Sequence, residues 1–227
     1  MKDSLNIVVA GATGYIGLEL IKILSKHPKV KIIYLCATKS IGKSIYYFDK
    51  KINKKNLPKI SKIGDVDWKN IDVLFTALPN GEAQKICKII PDHTKLIDLS
   101  ADFRINNFKL YKQWYGIDHK YKRFINKSIY AITEFSKNNL GKYKIISCPG
   151  CYPTSVQIPL IPLIKKKLIN TKNIIIDSKS GYSGAGKNIN KKFAFKNLFN
   201  SVSAYGIGSH RHMAEIDQEL TKASKRK

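Results

Sequence analysis

Arginine is nearly missing from this chain. Of its 41 basic side chains in 227 residues, 37 are lysine and only four, Arg104, Arg123, Arg211 and Arg226, are arginine. Acids are scarce as well, 16 in all, which leaves a formal net charge of +25 at pH 7. A charge of that size points towards nucleic acid, but base readout and bidentate phosphate clamps favour the planar arginine fork. The lysines are spread along the chain, and isoleucine (33) outnumbers leucine (17), a bias that an AT-rich coding sequence produces. The expectation is therefore no nucleic-acid partner, with the charge steering anionic metabolites and cofactors instead. Long apolar runs are absent too: none approaches the ~20 residues that span a bilayer, so no membrane partner is expected. The four cysteines have no disulfide-framework spacing and the start does not resemble a signal peptide, which points to a reducing, cytoplasmic setting. Hydrophobic content of 43% belongs to a globular chain, long enough for one or two domains.

What the chain does have begins at its start. Leu5 to Ala10 is a short continuous apolar run, as in a buried parallel strand. It enters Gly11-Ala12-Thr13-Gly14-Tyr15-Ile16-Gly17, and a helix follows, with Ile16, Leu20, Ile23 and Leu24 expected on one face. His27-Pro28 ends that helix, and Val30 to Ala37 reads as a second strand. Strand, glycine turn, helix and strand in this order make a βαβ unit with a phosphate-binding turn at its start. Gly11 and Gly14 are expected to let the backbone approach a pyrophosphate, and Gly17 to let the helix pack on the strand. The turn after the second strand, Thr38-Lys39-Ser40-Ile41-Gly42-Lys43, holds no acid for a ribose 2′-hydroxyl but does hold hydroxyls and lysines. NADP is therefore favoured over NAD, with Thr38, Lys39, Ser40 and Lys43 facing the 2′-phosphate.

Residues 45–67 read as a lysine-rich irregular excursion, and Val73 to Leu78 as a third strand. A helix is expected from Gly81 to Ile90, then a fourth strand at Lys95 to Leu99, leading to Ser100-Ala101-Asp102-Phe103-Arg104. Ligands bind at the carboxyl edge of such sheets, so Arg104 is a candidate anion ligand; an ordinary surface pair with Asp102 is the alternative. A further strand ends at Ser147. The chain then turns at Cys148-Pro149-Gly150-Cys151, and Pro153 suits the first turn of a helix. A thiol at a helix N-terminus lies among free N–H groups that favour the thiolate, so Cys151 is a candidate covalent nucleophile. A buried structural cysteine, or a redox or metal half-site with Cys148, are the competing readings. Beyond a helix at 155–167, interrupted by Pro159 and Pro162, come a strand at Asn173 to Ser178 and a second glycine-rich loop, Lys179 to Lys187. His210, His212 and Glu215 then cluster near the end, and one histidine is a candidate base for Cys151. A His-x-His pair also suits a metal, but no third ligand is evident and no metal is expected.

Five segments together, G-A-T-G-Y-I-G-L-E-L, L-I-D-L-S-A-D-F-R, P-G-C-Y-P-T, S-G-Y-S-G-A-G-K and H-R-H-M-A-E-I, resemble the N-acetyl-gamma-glutamyl-phosphate reductases of the aspartate-semialdehyde-dehydrogenase-like group. The resemblance implies a Rossmann-type doubly wound parallel α/β sheet (1–147) followed by the first part of an α+β substrate and dimerisation domain (148–227). It implies NADPH-dependent reduction of a small acyl phosphate, N-acetyl-glutamyl 5-phosphate, in arginine biosynthesis. Cys151 would be the nucleophile, His210 the acid/base, and Glu215 would orient the histidine or the substrate. Gly11, Thr13, Gly14, Tyr15, Ile16 and Gly17 would hold the pyrophosphate; Ser183 and Gly184 would flank the nicotinamide; Arg104 would take the substrate anion. A homo-oligomer would be expected. Three features depart from the family. Tyr130-Ala131-Ile132-Thr133-Glu134 resembles the family's Y-G-L-P-E with three changes. Cys148 stands where asparagine is common, and the chain stops soon after Glu215, where the family continues for roughly a hundred residues, so a C-terminally truncated chain is expected. The alternatives are a related enzyme acting on another acyl phosphate and an inactive NADP-binding remnant.

Overall fold

A computed structural model describes residues 3–52, 56–187 and 201–225. They fall into two compact units, Met1–Phe103 with His119–Cys148, and Arg104–Asp118 with Pro149–Lys227. The expected boundary lay between 147 and 148; the segment Arg104–Asp118 groups with the later residues.

The first unit is built on strands β1 (Leu5–Ala10), β2 (Val30–Cys36), β3 (Ile60–Ser61), β4 (Val73–Thr76), β5 (Lys95–Asp98), β6 (Ser128–Tyr130) and β7 (Ile145–Ser147). They form one sheet in the order β3-β2-β1-β4-β5-β7-β6, with every pairing parallel. Ile7, Val8, Val9 and Ala10 are all buried. Such a continuous apolar run marks a strand covered on both faces, where alternation would mark one wet face. The chain leaves β1 in one direction towards β2 and returns to β4 on the other side. The reversal between β1 and β4 is the switch point where doubly wound sheets open a crevice.

Helix α1 (Tyr15–Leu24) buries Gly17, Leu18, Ile21 and Leu24. This corrects the expected face: Ile16 and Ile23 are 51% and 66% exposed. The helix docks where Gly17 has no side chain, and its position, not the apolar count, selects the stripe. The lysine-rich excursion also differs from expectation. Ile45, Ile52 and Ile60 reach into the core with Ile7, Val9, Leu18 and Leu35, and Ile60 pairs with Leu35 to add β3 at the sheet edge. Helix α2 (Glu82–Ile86) is shorter than expected.

The second unit contains α3 (Phe108–Tyr115), α5 (Cys151–Lys165) and α6 (His212–Ser224), while the short α4 (Thr133–Ser136) belongs to the first. Ile105 and Tyr111 pack with Ala214, and Ile161 and Ile164 with Ala223. Helix α5 begins at Cys151, earlier than expected, and runs unbroken through Pro159 and Pro162. Both prolines are exposed, so water can serve the carbonyls their missing N–H groups leave unpaired. The strand expected at Asn173–Ser178 does not form. A strand exists only by pairing, and among the described residues of this unit there is no other strand; Ile175 is 93% exposed.

Candidate active site

The glycine turn sits at the switch point, at the carboxyl ends of β1 and β4. Its three glycines have different tasks. A Cβ on Gly11, whose φ is +86°, would lie 2.2 Å from the Ala77 carbonyl oxygen, and one on Gly17 2.2 Å from that of Gly11. The N–H groups of Gly11 and Ala12 both donate to the Cys36 carbonyl, at 2.9 and 3.1 Å. Gly11 and Gly17 are thus held by packing. A Cβ on Gly14 would meet nothing nearer than 3.4 Å, so Gly14 leaves room for a ligand. Gly14 is also the N-cap of α1, and no side chain caps that end, which leaves Thr13, Tyr15 and Ile16 around an uncapped helix N-terminus suited to a phosphate.

The turn after β2 is braced by Gly42 N–H to Ile60 O at 2.8 Å and Ile60 N–H to Lys43 O at 3.0 Å. Thr38 and Lys39 are exposed on it. Ser40 adopts φ +65°, and the Lys43 ammonium lies 4.4 Å from the Tyr47 ring centre. Two carboxylates of this unit are held by hydrogen bonds at strand and helix ends. Asp98 is fully buried at the end of β5; it accepts from Thr76 Oγ1 at 2.7 Å and from the Ser100 N–H and Oγ. Burial pushes its carboxyl above the usual range, against those hydrogen bonds. Asp102 accepts from the N–H groups of Gly81 (2.6 Å) and Gln84 (3.1 Å) at the start of α2. The D-x-S spacing of Asp98 and Ser100 was a readable sign of such a turn; Asp102 is fully buried, not at the surface.

In the second unit Cys151 is the first residue of α5 and is exposed. Gly150, just before it, has φ −69° and ψ 169°, an extended backbone open to any residue. Its glycine is required for another reason: a Cβ there would lie 2.4 Å from His212 Nε2. The Gly150 N–H donates to Glu215 Oε2 at 3.0 Å, and Arg104 Nη1 donates to Glu215 Oε1 at 3.1 Å. Glu215 is fully buried and Arg104 8% exposed. Arg104, expected as an anion ligand, is thus already paired. Tyr115 Oη approaches the same carboxylate at 3.5 Å, and His212 Nε2 lies 4.0 Å from it.

Both histidines join an aromatic cluster beside the nucleophile's helix. The His212 N–H donates to His210 Nδ1 at 3.2 Å, and the two rings are 4.7 Å apart. Tyr152 meets both edge-on at 5.4 and 6.0 Å, and Tyr205 lies 5.2 Å from His210. Burial lowers the His212 pKa to about 3, helped by the neighbouring Arg104, His210 and Arg211 charges. His210 is also lowered, by burial and then Arg211. The Tyr205 hydroxyl is pushed up to about 12, chiefly by burial. Ser183 and Gly184 lie on an exposed 3₁₀ turn, Tyr182–Ala185, and take no part in this cluster. Among the described residues no group of three or more His, Cys, Asp or Glu side chains could hold a metal ion.

Residues 6–143 match the model of the semialdehyde dehydrogenase NAD binding domain, and residues 151–227 that of the semialdehyde dehydrogenase dimerisation domain. The chain belongs to the semialdehyde dehydrogenase family. A nicotinamide dinucleotide is accordingly its cofactor class. The N-acetyl-gamma-glutamyl-phosphate reductase of Ehrlichia canis is 45% identical over 222 residues, which cover 97% of this chain and 64% of that protein. A probable chloroplastic N-acetyl-gamma-glutamyl-phosphate reductase of Oryza sativa is 39% identical over 225 residues, 99% of this chain and 54% of that one. The chain therefore spans 64% or less of the length of these relatives. Aspartate semialdehyde dehydrogenase II of Vibrio cholerae, solved with ASA, shares the fold with a TM-score of 0.64 at 14% identity, over 99% of this chain and 67% of that one. No described helix is long and apolar enough to cross a membrane.

Proposed function

We propose that this chain carries the NADPH-dependent reduction of N-acetyl-glutamyl 5-phosphate to N-acetyl-glutamate 5-semialdehyde and phosphate, a step of arginine biosynthesis. The observation that supports it most is an exposed Cys151 on the first turn of a 15-residue helix, with two imidazoles packed at that end. The Cys151 thiolate attacks the acyl carbon, an S–C bond forms, and phosphate leaves with the electron pair of the broken C–O bond. Bound NADPH supplies the hydride that reduces the resulting thioester. The tetrahedral thiohemiacetal collapses, the C–S bond breaks to regenerate the thiolate, and the aldehyde departs. His210 moves the proton; His212, kept neutral by its pKa of about 3, is poorly suited to hold one near neutral pH. Glu215 orients the imidazole, and Arg104, paired with Glu215 through Nη1, is proposed to take the substrate's anionic group.

The cofactor fits the turn of the first unit. Gly14 leaves open space and no side chain caps α1, so Gly11 to Gly17 would hold the pyrophosphate. The acid-free Thr38 to Lys43 turn supports NADP over NAD, with Thr38, Lys39, Ser40 and Lys43 at the 2′-phosphate. Ser183 and Gly184 are proposed beside the nicotinamide. The functional division is placed near residues 147 and 148, and the active species is a cytoplasmic homo-oligomer. Turnover is measured in the oxidative direction, with N-acetyl-glutamate 5-semialdehyde, phosphate and NADP⁺, by NADPH absorbance. Cys151→Ser should abolish it and leave NADPH affinity unchanged; turnover in that variant overturns the reading, as does faster turnover of aspartate semialdehyde.

A further inference from the structure

Glu215 is a buried carboxylate with two differently used oxygens. Oε2 takes the Gly150 N–H at 3.0 Å; Oε1 takes the Arg104 guanidinium at 3.1 Å and faces His212 Nε2 at 4.0 Å. Burying such a charge is costly unless a counter-ion and hydrogen bonds satisfy it. Arg104 supplies the counter-ion, and the backbone of the turn supplies a hydrogen bond. Gly150 is gripped from both sides, because its carbonyl also accepts the Thr154 N–H at 3.0 Å and Thr154 Oγ1 at 2.8 Å. The imidazole of His212 fills the place a side chain at 150 would occupy, 2.4 Å from an ideal Cβ.

We propose that Gly150, His212 and Arg104 form, around Glu215, a positioning device that fixes the start of α5, and with it the Cys151 thiol, against one tautomer of the His212 ring. The assignment deepens the reading of Cys151 as nucleophile and rests on it. An imidazole carries its proton on the nitrogen that faces an acceptor. At 4.0 Å the Glu215 carboxylate makes no hydrogen bond to Nε2, but its charge favours the proton there, which leaves Nδ1 as the acceptor. Nδ1 is buried and makes no hydrogen bond, so no acceptor on that side competes for the proton. Arg104 acts through Glu215: it keeps the carboxylate charged and in place. Gly150 acts by lacking a side chain, which lets the ring close on the turn that aims Cys151.

The test needs no turnover. Long-range ¹H–¹⁵N spectra of the full chain report the tautomer of each histidine. His212 should show the Nε2–H form in the parent and in Cys151→Ser. Gly150→Ala should displace the ring and shift its resonances, Glu215→Gln should mix the two tautomers, Arg104→Met should do the same, and Arg104→Lys should keep the parent pattern. An Nδ1–H tautomer in the parent overturns the proposal, and so do unchanged His212 resonances in Gly150→Ala or Glu215→Gln. If Gly150→Ala fails to fold, the Arg104→Lys and Arg104→Met pair decides, since only the charge-keeping variant should retain the Nε2–H form. In turnover, Gly150→Ala should lower kcat by about 100-fold, as small misplacements of reacting groups do, with KM nearly unchanged; a raised KM at unchanged kcat counts against positioning. Activity surviving in Cys151→Ser would instead sink the nucleophile and leave the His212 spectra as they were, so the two failures are distinguishable.

Discussion

Replacing Gly17 with alanine puts the reading of the glycine turn to a quantitative test. The new methyl would sit 2.2 Å from the Gly11 carbonyl oxygen and 2.9 Å from the Ala12 Cα. Both are backbone atoms of the turn, and Gly11 is itself wedged against Ala77, so neither can swing aside as a side-chain tip can. Helix α1 must back away by about 1 Å, which loosens Leu18, Ile21 and Leu24 from the core; overpacking of this kind costs about 1–3 kcal/mol. Alanine inside a helix recovers up to about 1 kcal/mol over glycine. The net loss should be about 1–2 kcal/mol, a fall of roughly 0.5–1 M in the urea midpoint for an m-value near 2 kcal/mol/M. Of the chain's two tryptophans, Trp68 lies in the first unit and Trp114 in the second, so the fluorescence of Trp68 in a Trp114→Phe background reports the relevant unit. Gly14→Ala is the contrast. Its methyl meets only one atom, at 3.4 Å, and a poorer N-cap costs under about 1 kcal/mol, but the methyl stands where the pyrophosphate would approach. It should weaken NADPH binding by about tenfold, a loss of ~1.4 kcal/mol in affinity, with little change in the midpoint. A Gly17→Ala protein as stable as its parent would refute the packing argument.

Three further outcomes follow from the buried polar groups. Asp98, held above its ordinary pKa by burial, binds more protons folded than unfolded. Its contribution is therefore fully present below the ordinary carboxylate pKa and is lost as pH rises through the raised folded pKa; Asp98→Asn should flatten that decline in urea midpoints. His212 acts in the opposite sense: with a folded pKa of about 3, it favours the fold above pH 6.5 and disfavours it progressively from there down towards pH 3, so His212→Gln should reduce acid-side destabilisation measured by circular dichroism. Arg104→Met strands the buried Glu215 charge and should destabilise the second unit by about 3–5 kcal/mol, read from Trp114 fluorescence in a Trp68→Phe background; a loss under 1 kcal/mol would count against that pair.

The first βαβ unit was legible because its signals agree: an unbroken apolar strand, three spaced glycines and a proline stop. The buried face of α1 was not, because Ile16 and Ile23 add apolar mass to a face that the docking of Gly17 turns outward. Strands β3 and β6 span two and three residues, too short for any period to show, and only their neighbours in the sheet define them. The stretch at Asn173–Ser178 failed the other way: β propensity was present and a partner was not. In the candidate site, residue type and spacing pointed to Cys151 and to the cluster of His210, His212 and Glu215, while the choice of His210 and the role of Glu215 came only from the family resemblance. The reason for Gly150 could not, since it depends on a ring 62 residues later, and neither could the partner of Arg104, which is 111 residues away.

That last separation also sets an order of events as the chain is made. Arg104, Ile105, Asn106 and Tyr111 find their contacts on α6, where Glu215, Ala214 and Gln218 lie. At about 5–20 residues per second, synthesis takes roughly 5–20 s to travel from one set to the other. The strands on either side of this segment can pair in the meantime, since β5 joins β4 and then β7. For those seconds the nascent chain exposes an aromatic, isoleucine-containing segment with nothing of its own to cover it, which makes this interval the one in which a chaperone or a premature encounter with another nascent copy would have most effect.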